Sequence, residues 1–208
     1  MDPLGILSAL IAPALIAPPI TYKFLDVYRQ LQLAQALLKS LSQDDYLTGV
    51  YSRHFLEETA AKEFSLSMRH KFPVSVMIMD IDNFSEVNDS FGVRVGDEVL
   101  IALTQCVYEI IRQTDIFGRY GGEEFIIFMP HTALDDAVIL SERIRQAVAD
   151  RKIQSQWEGS SINITISLGV ATATSRTRTL EDLILNADLS LYRVKEHGPN
   201  RVGVYDGP

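Results

Sequence analysis

The sequence predicts an α/β (α+β) fold, a central sheet with helices packed against it. Two patterns carry that prediction. From Asp44 onward, stretches with apolar residues at helical spacing alternate with short apolar runs that read as strands. Within that series, Gly121-Gly122 joins two strand-like runs, Ile116–Tyr120 and Phe125–Met129, so at least one strand pair is a tight antiparallel hairpin. The chain has 208 residues, 47% hydrophobic and 22% charged, which allows one full core plus an appendage.

The appendage comes first. Leu4 to Ile20 carries no charge, and the apolar run extends to Tyr22 before Lys23. That length lies at the lower edge of what spans a bilayer. Pro13, Pro18 and Pro19 interrupt it, which membrane helices tolerate better than soluble ones. No basic segment or small-residue cleavage site suggests a cleaved signal. Lys23, Arg29 and Lys39 follow on the C-terminal side, so a span over residues 4–22 places the rest in the cytoplasm. The alternative is an apolar segment docked on its own protein or on a partner. From Phe24 to Leu41, apolar residues at 24, 27, 31, 34, 38 and 41 form an a/d seam, the pattern of a short coiled-coil stalk. Packing of that stripe on its own domain is the competing reading. The expected division is therefore 1–22 membrane-type segment, 23–43 stalk and 44–208 globular domain.

The globular elements follow in order. Helices are expected over Ser52–Arg69, Gly96–Gln113, Leu134–Asp150 and Thr179–Glu196, the last capped by Thr179 with Asp182 three residues on. Val74–Ile81 is a continuous apolar run and reads as a strand buried on both faces. Ile162–Ala171 alternates as a strand, and Val202–Tyr205 closes the series. The lone cysteine, Cys106, falls on a helical apolar stripe, so a buried thiol is expected and a disulfide framework is excluded. A net charge of −8 argues against a nucleic-acid-binding surface.

Two acidic clusters stand at strand ends. Glu123-Glu124 follows the bare glycine turn, where backbone can approach a phosphate closely, and Asp80-Ile81-Asp82 ends the buried strand. Asp80 and Glu123 are a candidate pair of oxygen ligands for a hard cation. Magnesium suits them, with manganese as the other candidate, because magnesium takes one or two carboxylates plus substrate phosphates. Solvated acids on an ordinary surface hairpin are the alternative.

Spaced over 44–205, these residues resemble the GGDEF domain family of diguanylate cyclases. The motif itself reads Gly121-Gly122-Glu123-Glu124-Phe125. Asp45-Tyr46-Leu47-Thr48-Gly49 resembles the family's D-x-L-T-G, and Asp80 to Asp89 resembles D-I-D-x-F-K-x-x-N-D. Gly96-Asp97, Ser167-Leu168-Gly169 and Ala187-Asp188-x-x-Leu191-Tyr192 follow in the family's order. The resemblance implies a ferredoxin-like palm with a mainly antiparallel sheet. It implies catalysis by Glu123, Glu124 and Asp80, and a metal on Asp80, Glu123 and the Ile81 carbonyl. GTP would be held by Asn88, Asp97, Gly121, Gly122, Phe84 and Lys195, with Asn88 and Asp97 reading the guanine edge. Two such domains, facing each other as a homodimer, would condense two GTP into cyclic di-GMP. The product would inhibit through Arg112 and Asp115, an R-x-x-D, with Arg143 as a further contact. The N-terminal segment would then anchor a cytoplasmic domain at a bacterial inner membrane.

Three positions depart from the family pattern. Ser85 stands where a lysine is usual, Val93 where histidine is frequent, and Pro199 where arginine follows the glycine of K-x-x-G-R-N. Arg94 and Arg201 are the candidate substitutes. A degenerate domain that only binds cyclic di-GMP through Arg112 and Asp115 is the rival expectation.

Overall fold

The computed structural model describes residues 21–31, 42–155, 159 and 161–207. The chain divides into two compact units, Met1–Ser42 and Gln43–Pro208. In the first, residues 21–31 are helical (α1), and Phe24, Val27 and Leu31 are all exposed on it. The rest of the expected seam, and the apolar run up to Ile20, lie outside the described residues. Among the described residues no helix is long and apolar enough to cross a membrane.

The second unit is built around strand β1, Val74–Ile81, in which all eight residues are buried. Its continuous apolar run has that cause: both faces of the strand are covered. It pairs antiparallel with β3 (Glu124–Pro130) on one side and with β6 (Ile166–Thr172) on the other. Strand β2 (Ile116–Gly121) adds outside β3, and β7 (Val202–Val204) lies parallel to β6, giving the order β2-β3-β1-β6-β7. This is the mainly antiparallel, ferredoxin-like sheet that was expected.

Helices cover both faces. Met77, Met79, Ile81, Phe125 and Ile127 cluster with α4 (Val93–Tyr108) and α5 (Leu134–Asp150). Val74, Val76, Ile78, Ile126 and Phe128 cluster with α2 (Arg53–His70) and α6 (Leu180–Glu196). Cys106 is buried in the first cluster. Alternate residues of the central strands thus feed two cores, as the two-residue repeat of a strand requires. Helix α6 begins as its sequence signals. Thr179 Oγ1 accepts from Asp182 N at 3.1 Å, and Asp182 Oδ2 accepts from Thr179 N at 3.1 Å. It sits backbone-on-strand at Gly169, where any Cβ would overlap Ala187 O and Leu191 N. The Ser167-Leu168-Gly169 and Ala187-Asp188 motifs therefore include a packing contact.

Three elements differ from the sequence expectation. Helix α4 starts at Val93 and stops at Tyr108, and is preceded by a separate helix α3 (Phe84–Phe91). Gly92, at φ 83°, breaks the two apart. Beyond Tyr108 the apolar side chains of Ile110 and Ile111 still pack on the core, but the backbone leaves the helix. The strand expected over Ile162–Ala171 divides into β5 (Ser161–Ile162), paired with β4 (Ile153–Gln154), and β6. Apolar alternation runs through the break, so periodicity could not locate it. Finally, the turn residues are Gly122 and Glu123 and not the two glycines. Gly121 still pairs with Glu124, a register shift falls at Tyr120, and only Gly122 takes positive φ, at 50°.

Candidate active site

The register of β1 on β3 sets Asp80 directly opposite Glu124. Directly opposed residues share a face with their Cβ atoms about 5 Å apart. The two acidic clusters of the sequence thus meet at one end of the sheet, with Glu123 beside them on the turn. Asp188 of α6 and Glu124 line one cavity of about 430 Å³ together with Arg53 and Tyr120. The sequence reading gave Asp188 no role, since it lies far along the chain in a helical repeat. Lys195, on the last turn of α6, donates from Nζ to Asp80 Oδ1 at 2.6 Å. Four acidic side chains, Asp80, Glu123, Glu124 and Asp188, therefore converge, with Lys195 and Arg53 as the cations beside them.

Their titration reflects that imbalance. Burial pushes the Asp80 carboxyl above the ordinary carboxylate range, against the pull of Lys195, with Glu123 and Asp82 adding repulsion. Burial likewise raises Glu124, followed by the charges of Asp80, Asp188 and Glu123. Crowded oxygen donors with surplus negative charge fit a hard divalent cation. Among the described residues no group of three or more acidic, histidine or cysteine side chains is placed to hold a metal ion by itself. The Ile81 side chain is buried and carries no donor atom, so its backbone carbonyl is what could serve as a ligand.

The turn is braced by a residue the sequence reading passed over. Arg119 donates from Nε and Nη2 to Gly122 O, at 2.8 and 2.6 Å, and from Nη1 to Asp45 Oδ1 at 3.1 Å. Asp45 also accepts from Thr48 N and Oγ1, at 3.0 and 2.7 Å. Burial pushes Asp45 up, yet Thr48 and Arg119 together hold it below its ordinary value. The D-x-L-T-G segment is thereby wired to the carbonyl of the turn. Tyr120, the residue at the register shift, packs under Arg53, whose guanidinium carbon lies 4.0 Å from the ring centroid.

A cavity of about 170 Å³ opens beside Lys195, lined by Asp82, Asn83, Gly198 and Pro199. The Asp82 carboxylate is taken up by its neighbours. Its Oδ2 accepts from Thr165 Oγ1 and Asn200 N at 2.7 and 2.8 Å, and its Oδ1 from Ser167 Oγ at 2.6 Å. Arg145 donates to Asn200 Oδ1 at 2.8 Å from the other side. The loop carrying Pro199 is thus firmly placed.

Asn88 of α3 and Asp97 of α4 sit on neighbouring helices at the same sheet face as Phe84. Asn88 Oδ1 is buried and accepts no hydrogen bond among the described residues. Away from this end, Asp115 Oδ2 accepts from Arg112 N at 2.9 Å, and Arg143 donates to Ile110 O at 2.8 Å. Arg112, Asp115 and Arg143 therefore converge on the segment that leaves α4. Burial raises the Asp115 carboxyl above its ordinary value, against the Arg112 amide.

A mainly antiparallel sheet flanked by helices, with carboxylates beside a glycine turn at one end, is the architecture of the GGDEF domain. The chain belongs to the diguanylate cyclase, GGDEF domain family, whose model matches residues 42–201. It is 30% identical to the probable diguanylate cyclase DgcC of Escherichia coli over 194 residues, covering 92% of this chain and 52% of that protein. The active GGEEF domain of a diguanylate cyclase from Vibrio cholerae superposes with TM-score 0.70 at 34% identity, over 76% of this chain and 98% of that one. The GGDEF domain of DgcB from Caulobacter crescentus, in complex with c-di-GMP, gives TM-score 0.76 at 25% identity, over 79% and 94%. The chain spans about half or less of the length of the curated relatives it matches.

Proposed function

We propose that the chain condenses two GTP into cyclic di-GMP, releasing two pyrophosphates. One observation carries the proposal: the Asp80–Glu124 register, with Glu123 beside it on the turn, concentrates more carboxylate charge than Lys195 offsets, and a divalent cation that also carries a polyphosphate would balance it. The donor set fits magnesium, on Asp80, Glu123 and the Ile81 carbonyl. Bound there, the ion would acidify the attacking 3′-hydroxyl and stabilise charge on the transferring phosphoryl group. The protein's own contribution is placement. Gly122 lets the turn approach the phosphates, Arg119 fixes its carbonyl, and Lys195 supplies the cation beside Asp80. Asn88 and Asp97 read the base, an aspartate being able to accept the N1–H and N2–H₂ pair that adenine lacks.

The attacking hydroxyl belongs to the GTP of a second copy, so the reaction needs a homodimer. The exposed Phe24, Val27 and Leu31 on α1 support association through the stalk. The apolar run preceding them is read as a membrane seat, tested by fractionating cells that express the chain with and without residues 1–22. Arg112, Asp115 and Arg143 are read as a product-binding brake, a role supported by their convergence.

The test is incubation of the dimeric protein with GTP and magnesium, followed by assay of pyrophosphate and cyclic di-GMP. No product from a verified dimer would sink the cyclase reading. Ser85 and Pro199 favour a second reading, a weak cyclase acting chiefly as a cyclic di-GMP receptor. Tight binding of cyclic di-GMP without turnover distinguishes it.

A further inference from the structure

We propose that Gly96 is a specificity-determining positioning residue: its missing side chain is the space in which the Asn88 amide rests. The inference deepens the proposed function, because it rests on Asn88 reading the nucleotide base. A Cβ built on Gly96 would overlap Asn88 Oδ1, and would lie 3.1 Å from Asn88 Cγ and 3.2 Å from Phe84 Cζ. Nothing in the backbone of Gly96 requires glycine. It lies inside α4, outside the positive-φ positions, where glycine is a poor helix former and alanine a better one. A residue that disfavours its own helix and relieves no backbone strain is there for the neighbour it admits.

That neighbour is a functional side chain and not a core one. Asn88 is half-buried on α3, and its Oδ1 is the buried acceptor that accepts no hydrogen bond among the described residues. No internal hydrogen bond on that oxygen fixes the amide, so steric room over Gly96 sets where it lies. Phe84, one helical turn earlier on α3, shares the same room. An added methyl meets the free end of a flexible side chain, which swings aside. The expected damage is therefore to recognition and not to folding.

The experiment uses the full chain and its Gly96→Ala variant, measuring melting temperature and the dissociation constants of GTP, ITP and ATP with magnesium. ITP lacks only the N2 amino group of guanine. Gly96→Ala should melt at the wild-type temperature or above it, bind GTP at least tenfold more weakly, and narrow the preference for GTP over ATP, while Asp97 keeps the preference for GTP over ITP. Unchanged GTP affinity in the variant overturns the proposal, as does a melting temperature several degrees lower. Asn88→Ala supplies the second control. If the methyl acts by displacing the Asn88 amide, adding Gly96→Ala to Asn88→Ala costs no further GTP affinity, whereas additive losses overturn the proposal. Failure of the wild-type chain to bind GTP at all would instead count against the base-reading role itself.

Discussion

The hairpin turn and the loop between α6 and β7 border the same end of the sheet, and each is held by charged side chains. Arg119 grips the turn through Gly122 O, and Asp82 grips the loop through Asn200 N. The turn nevertheless keeps a full set of carboxylates, whereas the loop carries Pro199 in place of an arginine. Shape and charge have come apart. The loop retains the anchors that place it, namely Asp82, Arg145 and the positive φ of Asn200, and has lost only a cation. A weakened phosphate grip in this chain would therefore be a loss of charge at a well-formed site, which is the kind of defect one substitution can repair.

The largest expected effect breaks the turn side. Asp80→Asn removes a proposed metal ligand and the partner of Lys195, and should lower turnover by about a thousandfold or more, since metal stabilisation of this kind is worth several kcal/mol. Folding should survive, because a buried carboxylate in a crowd of like charges is replaced by a neutral amide. Loss of turnover together with the cooperative melt would mean that Asp80 is structural.

Arg119→Ala comes next. It removes the donors to Gly122 O and leaves Asp45 without its guanidinium. Hydrogen bonds to charged groups contribute about 1.5–3 kcal/mol each, so thermal melting should fall by several degrees and turnover by about tenfold or more. Wild-type turnover would show that the turn holds itself.

Repairing the loop sharpens the contrast from the other side. Pro199→Arg, alone and with Ser85→Lys, should lower KM for GTP by about tenfold per added contact, from about 1.5 kcal/mol each. The turnover number should change little. No change in KM would mean that Arg94 or Arg201 already fills the role.

The smallest effect concerns pH at the presumed brake. Asp115 has a folded pKa above its unfolded value, so its buried charge costs stability above the folded pKa. That cost disappears as pH falls below the unfolded value, about 3.9. At the proposed product site, the ionised form of Asp115 is the one that would accept guanine N–H groups. Calorimetry should show cyclic di-GMP binding weaken as pH falls through a window opening just above the ordinary carboxylate range. Asp115→Asn should bind weakly at every pH.

Much of this was legible in the sequence where chemistry and periodicity agree. The buried β1, helix α5 and the Thr179 cap follow from apolar runs and a capping pair, and the acidic clusters announce themselves at strand ends. What stayed hidden depends on distance along the chain. The direct partner of Asp80 across the sheet is Glu124, and the register of β1 on β3 that makes it so cannot be read from letters. Asp188 and Arg119 were invisible as site residues because their partners lie 64 positions from Asp188, at Glu124, and 74 from Arg119, at Asp45. Helix α3 was missed because eight residues hold too few apolar repeats to register.

Gly169 bears on how robust the site is to change. Because α6 rests on β6 through main-chain atoms, no side chain there can shrink or rotate to absorb an error. Asp188 and Lys195 ride on that one helix, Asp188 within the contact and Lys195 one turn beyond it. A single added methyl at Gly169 would lift both together, moving an acid and a base away from Asp80 by a common displacement. The most damaging silent position in this protein would then be one that a survey of charged residues never visits.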